Sequence, residues 1–455
     1  MRMTSVRGLL ASLGLWLVAT SASATDPAVL LAQIQALPGV VTASQGPSPI
    51  PDTLFYRITF RQPLDHADPG GETFTQRVTL LHRDASAPMV LVTDGYATPW
   101  VATQQEITAA LQTNQLRVEH RFFVGSAPAS MDWSKLDIEQ SADDLHAVIA
   151  AFKALYPARW ASTGASKSGM TSVYLRYFHP DDVDATVPYV APTSQGFYDA
   201  RYVQFLDRVG DAACRASLRR FQEAALRRRD EVQALVSPTD FGILGLDRSY
   251  EFAVIELPFT FWQYRNASFC DAIPADDAPA AEMLGFIDFA VGLDFFADPT
   301  LEYYAPYFYQ AGTQLGAPRV DLRALGDLLR YPRRDVPENY PPLGVEKSFD
   351  GSAMARIRQW VQVSGQRFLF IYGENDPWST NPYVPSERND AWRIWVRGAG
   401  GNHGANLAKM TPEDREFAMA KLREWLDLPP ARFAAPVDAA SARVDEPTRA
   451  ELMLR

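Results

Sequence analysis

Three residues spaced far apart in this chain have the types needed for nucleophilic acyl transfer: a serine, an aspartate and a histidine. The serine lies in Arg159-Trp160-Ala161-Ser162-Thr163-Gly164-Ala165-Ser166-Lys167-Ser168-Gly169-Met170. That stretch reads as a short strand, a tight turn and a helix start. A serine at such a turn is lifted above the sheet, and the first N–H groups of the helix point to where an oxyanion forms. Gly164 stands two before Ser166, while Ser168 rather than glycine stands two after it, with Gly169 next. The match to G-x-S-x-G is therefore incomplete. Ser162 falls inside the strand and Ser168 in the first helical turn, so the turn geometry selects Ser166.

A lone G-x-S is a weak signal. Its company strengthens it. Arg367-Phe368-Leu369-Phe370-Ile371-Tyr372 is a buried-type strand running into Gly373-Glu374-Asn375-Asp376-Pro377-Trp378. An aspartate just past an apolar strand sits at the carboxyl edge of a sheet, where open α/β sheets place their sites. A second strand, Trp392-Arg393-Ile394-Trp395-Val396, leads to Gly398-Ala399-Gly400-Gly401-Asn402-His403-Gly404. The order Ser166, Asp376, His403 is that of an α/β-hydrolase triad. Ser166 needs a base, His403 can accept its proton and return it to a leaving amine, and Asp376 would fix the imidazole tautomer. His66, His82, His120, His146 and His179 lack this setting of a Gly-rich loop after an acid-bearing strand end.

The elements around these residues fit one sheet. Leu54 to Phe60 and Phe74 to Leu81 alternate as paired strands, Met89 to Thr93 is a short buried strand, and Ala185 to Val190 follows the helix after Ser166. Met89 to Thr93 ends in Asp94-Gly95-Tyr96, so the N–H of Tyr96 or Gly95, beside that of Lys167, is the expected oxyanion donor set. Leu116 to Phe123 reads as another strand, with Glu119 facing a cleft or pairing with Arg121. Ile138 to Tyr156 has helical spacing and leads into the turn. The expected fold class is α/β, an α/β-hydrolase core with a large, mainly helical cap insertion. The core spans 25–196 and 347–430, the cap 197–346, and a loose tail 431–455.

At 455 residues the chain is longer than one ordinary domain, in keeping with such an insertion. The cap segment carries helical patterns at Tyr202 to Val236, Tyr250 to Tyr264, Ala281 to Phe296 and Leu301 to Leu315, and it is crowded with aromatics suited to a proline-sized or apolar group. Cys214 and Cys270 both fall within it and are expected to pair. Two carboxylates, Glu119 and Glu256, stand in apolar sequence, where a desolvated charge needs a counter-charge.

Residues 1–24 read as a secretory signal, with Arg2 and Arg7, an apolar run from Leu9 to Ala19 and an A-x-A site ending at Ala24. Cleavage would leave a secreted or periplasmic protein without a membrane anchor, and an export route permits a disulfide. Losing Arg2 and Arg7 takes the formal charge from −11 to −13. Such an acidic chain does not attract nucleic acid or anionic membrane. No Cys/His spacing indicates a metal site, and no cofactor motif is present.

The segments Phe60-Arg61-Gln62-Pro63-Leu64-Asp65-His66, Glu119-His120-Arg121-Phe122-Phe123, Gly164 to Thr171, Gly373 to Trp378 and Asn402-His403-Gly404 together resemble the secreted PS-10 type serine peptidases, family S37. The resemblance implies an α/β-hydrolase aminopeptidase acting on peptides, with Ser166 as nucleophile, Asp376 as acid and His403 as base. It implies release of short N-terminal peptides, commonly tripeptides and often after proline; an enzyme that counts from the N-terminus must read the free ammonium, and Glu119 and Glu256 are the candidates to bind it. A carboxylic esterase or lipase shares the same triad and is the alternative reading. A binding protein on a hydrolase scaffold would not need all three residues.

Overall fold

The computed structural model describes residues 26–430. The expected signal segment 1–24 and the expected tail 431–455 lie outside the described residues. Among the described residues nine strands form one sheet: β1 (Val40–Gly46), β2 (Leu54–Pro63), β3 (Thr73–His82), β4 (Met89–Thr93), β5 (Asn114–Val118), β6 (Trp160–Ala165), β7 (Ala185–Tyr189), β8 (Leu369–Gly373) and β9 (Trp392–Val396). Their spatial order is β1-β2-β3-β5-β4-β6-β7-β8-β9. The pairs β1–β2, β2–β3 and β3–β5 are antiparallel. From β5 to β9 the sheet is parallel.

Every residue of β4, β5, β7 and β8 is buried. Helices cover both faces of a parallel sheet, so β4 and β8 read as apolar runs instead of alternation, while β5 buries Asn114, Gln115 and Arg117 as well. On one face Leu145, Val148, Ile149 and Phe152 of helix Ile138–Phe152 pack against Tyr56, Leu80, Leu91 and Leu116. On the other, Ala418, Leu422 and Trp425 of helix Pro412–Trp425 pack against Val90, Val92, Val187 and Ile371. This is an α/β-hydrolase core.

The strand expected through Phe123 stops at Val118. Glu119 still bonds Arg77 through its backbone, but the chain then turns, with Phe122 at φ +70°. The charged side chains there leave the sheet for separate inner partners.

Between β7 and β8 the described chain is helical, and this stretch has a core of its own around Phe221, Phe252, Phe261, Trp262 and Phe286. The helix expected from Tyr202 to Val236 is three: Arg201–Leu206, Ala212–Arg227 and Arg229–Gln233. The first break is at Gly210, with φ +65°; a Cβ there would lie 2.2 Å from the Trp262 ring. Asp211 then caps the next helix by accepting from the Cys214 N–H. Leu246–Tyr264 is one long helix. Cys214 is joined to Cys270 in a disulfide that ties helix Ala212–Arg227 to the turn Ala267–Ala272. No helix among the described residues is long and apolar enough to cross a membrane.

Candidate active site

Ser166 caps helix Lys167–Phe178 directly after β6, with φ +56° and ψ −125°. A non-glycine residue rarely holds that conformation, and where it occurs the surroundings enforce it. Here the Ser166 N–H donates to the Tyr189 carbonyl of β7, and the Ser166 carbonyl accepts from Met170 N. Gly164 makes the turn possible, since a Cβ on it would lie 2.5 Å from the Ser168 carbonyl carbon. Ser168 takes the position where the motif has glycine because its Oγ is used elsewhere: it accepts from Gly95 N at 2.8 Å. That bond commits the Gly95 N–H to Ser168, so of the two donors expected from this loop Gly95 is placed as an anchor. The Tyr96 N–H belongs to the next peptide unit.

Asp376 and His403 come together from the ends of β8 and β9. The two carboxylate oxygens of Asp376 each lie 3.0 Å from His403 Nδ1, and both side chains are fully buried. Asp376 caps the short turn Pro377–Thr380, accepting from Trp378 N at 3.2 Å and from Ser379 Oγ at 2.6 Å. Aspartate followed by proline at the first helical position is a cap signature readable in sequence; the Ser379 contact is not.

The loop bearing His403 is held from three sides. A Cβ on Gly373 would lie 2.4 Å from the Asn402 carbonyl, so strand end and loop touch backbone to backbone. His403 N donates to the Gln263 carbonyl at the end of helix Leu246–Tyr264. Glu106 accepts from Leu407 N and Ala408 N, both at 2.9 Å, and from the Tyr189 hydroxyl. Burial raises its pKa, and these bonds oppose the shift. No sequence feature marked Glu106, because its partners lie 301 and 302 residues away.

The two candidate ammonium-binding carboxylates have different surroundings. Glu119 is wholly buried, accepts from Thr98 N at 3.0 Å and from Ser126 Oγ at 2.6 Å, and lies 4.0 Å from Arg77. Burial pushes its pKa up to about 7. Arg121, the expected partner, is paired with Asp144 instead. Glu256 is half-buried, and its carboxyl meets that of Asp335, which accepts from the Tyr340 hydroxyl. Burial, reinforced by Asp335, raises Glu256 well above the usual carboxylate range. Asp335 sits in an irregular loop and no periodicity points to it.

Aromatic rings link these groups. Tyr96 meets Tyr304 edge-on at 5.5 Å and Tyr307 at 6.2 Å. Tyr307 lies beside Glu256 and Tyr202. On the other flank Tyr264 and Trp378 approach His403 at 6.2 and 6.5 Å.

Away from the site, His146, His179 and Asp182 gather their ligand atoms within 4.8 Å. The two imidazoles are stacked at 4.1 Å and 7°. Nitrogen lone pairs lie in the ring plane, and two parallel planes share no point, so these rings as placed cannot both ligate one ion. Each has its own carboxylate, Asp182 and Asp143 respectively.

The family model of PS-10 peptidase S37 matches residues 29–450. The chain is 40% identical over 448 residues to the prolyl tri/tetrapeptidyl aminopeptidase of Streptomyces mobaraensis, covering 94% of this chain and 93% of that one. Among solved structures, the proline iminopeptidase of Mycobacterium smegmatis matches with a TM-score of 0.35 at 14% identity, covering 81% of this chain and 97% of that one. A homoserine O-acetyltransferase of Staphylococcus aureus matches with a TM-score of 0.39 at 13% identity, covering 83% and 95%. Similarity at that level adds nothing to the fold read from the strand order. The family match and the long relative agree, and the chain belongs to the PS-10 peptidases of family S37, a family of serine peptidases.

Proposed function

We propose that this chain is an exopeptidase that removes short peptides from substrate N-termini through a Ser166–His403–Asp376 acyl-enzyme mechanism. The observation that carries the reading is the buried Asp376–His403 pair, at 3.0 Å, beside the same sheet edge that presents Ser166 in its left-handed turn. With Nδ1 facing the carboxylate, His403 carries its proton there and Nε2 is the basic nitrogen. Nε2 takes the Ser166 proton as Oγ attacks the scissile carbonyl. The backbone N–H groups of Tyr96 and Lys167 stabilise the oxyanion. Collapse breaks the C–N bond and the imidazolium gives its proton to the leaving amine. Water, deprotonated by the same nitrogen, then releases the acyl peptide.

The aminopeptidase relative supports reading the substrate's free ammonium. Glu256 is the better candidate of the two, because the oxygens of Glu119 already serve Thr98 and Ser126, and an ammonium brought against the Glu256–Asp335 pair favours the ionised form that burial opposes in its absence. We place the helical stretch 197–346 as a cap whose aromatics wall the cleft. Residues 1–24 are its export signal, in keeping with the Cys214–Cys270 disulfide.

A tripeptide amide, free or N-acetylated, tests this. Wild type should strongly prefer the free amine, Glu256→Gln should erase most of that preference, and Ser166→Ala should lower turnover by roughly 10⁴-fold or more. Equal cleavage of both peptides would end the exopeptidase reading and favour an endopeptidase or esterase.

A further inference from the structure

Lys167 directly follows the nucleophile, yet its side chain is only 3% exposed. Its Nζ donates to the Gly95 carbonyl oxygen at 2.7 Å. The amine lies 5.7 Å from the Tyr96 ring centre and 5.8 Å from that of Phe123. Burial holds its pKa well below the usual lysine range. The reaction as derived uses only the backbone N–H of this residue, so the buried amine has no task in it.

The Gly95 carbonyl belongs to the same peptide unit as the Tyr96 N–H. That unit is planar and trans, so the C=O and N–H point in opposite directions, and fixing one aims the other. Neighbouring groups are pinned as well. Gly95 N donates to Ser168 Oγ at 2.8 Å, and the Tyr96 carbonyl accepts from His120 N at 3.1 Å. The loop also lies flush on the elbow helix, since a Cβ on Gly95 would fall 2.7 Å from Ser168 N. Two consecutive side chains after the nucleophile thus grip one glycine, Ser168 by its N–H and Lys167 by its C=O.

We propose that Lys167 is a positioning residue whose amine, by holding the Gly95 carbonyl, aims the Tyr96 N–H at the oxyanion that forms on attack by Ser166. The inference rests on the Ser166 mechanism above. A donor that meets only the developing oxyanion lowers the barrier without strengthening substrate binding. Loss of the Lys167 contact should therefore appear in kcat and in the binding of tetrahedral adducts, not in ground-state affinity.

The test is Lys167→Met, of similar length and without a donor, with Lys167→Leu in its place should thermal unfolding show that the Met variant does not fold. Three quantities are read: kcat and KM on a free tripeptide amide, the inhibition constant of the matching N-terminally free peptidyl boronate, and the Kd of the tripeptide amide on the same variant carrying Ser166→Ala. We expect kcat to fall roughly 10²-fold and the boronate to weaken by a similar factor, with KM and Kd held within about threefold. A kcat within about twofold of wild type overturns the proposal, and so does a Kd that weakens in step with kcat, which would mark general damage to the site. Failure of the underlying mechanism looks different: Ser166→Ala alone would then keep its turnover.

Discussion

Single side chains in this site are set by what they touch, and Glu119 is the clearest case. Its carboxyl is buried and its pKa is raised to about 7 from an ordinary 4.5. A raised carboxyl pKa means that the folded state binds the proton more tightly than the unfolded chain. The resulting stability is fully present below about pH 4.5 and is lost as pH rises to about 7, to the extent of roughly 3 kcal/mol. Gln at this position keeps an oxygen for Thr98 N and leaves Ser126, whose hydroxyl can rotate, to accept from the amide. Denaturant unfolding at pH 5 and pH 7.5 should therefore show Glu119→Gln gaining on wild type as pH rises. A stability difference that stays constant between the two would refute the buried, proton-holding carboxyl.

At the scale of elements, the site depends on loops from different strands being tied together. Glu106, at the start of helix Glu106–Leu111, receives two backbone N–H groups from the segment just after His403. Glutamine offers one accepting oxygen and turns an N–H₂ toward the other N–H, leaving a buried donor unmet. That should cost about 1–3 kcal/mol. It should also lower kcat more than it raises KM, because the histidine loop is loosened while the substrate walls are not. Steady-state kinetics with a melting curve on Glu106→Gln check both; full activity at unchanged stability would show that the loop is held by its other contacts. The Gly373–Asn402 approach and the His403–Gln263 bond are those others.

Across the whole molecule, the Cys214–Cys270 disulfide closes a loop with a sequence separation of 56 inside the helical stretch. By chain entropy a crosslink of that span stabilises by about 4 kcal/mol. Replacing both cysteines by serine should lower the melting temperature and raise the susceptibility of residues 212–272 to proteolysis, while the sheet with Ser166, Asp376 and His403 stays folded. Limited proteolysis followed by mass analysis reads the site of cutting. Cuts confined to the sheet region would contradict this. The helical stretch and the sheet nevertheless share contacts, since Tyr96 and Phe123 belong to the same apolar cluster as Phe252 and Trp262. Loosening should thus also show as a rise in KM.

The amino-acid sequence by itself determined the features governed by local rules. Strand–turn–helix chemistry around Ser166, the buried run that became β4 and the second strand that became β9, both at their expected bounds, and the chain order of serine, aspartate and histidine were all legible there. Periodicity reports burial, and turn residues report φ and ψ, over only a few neighbouring positions. Partner choice lies outside that range. Gly95 meets Ser168 across 73 residues, Lys167 meets Gly95 across 72, and Glu106 meets Ala408 across 302. Glu119 chose Ser126 and Thr98 over Arg121 because the chain turned after Val118. Glu256 met Asp335 because an irregular loop closed on a helix, and Gly210 broke a regular helical pattern because the Trp262 ring occupied the space a Cβ needs. Each of these turns on hydrogen bonds and excluded volume between segments that only the packed chain brings together, and those contacts decided which groups stand ready for chemistry and which hold them in place.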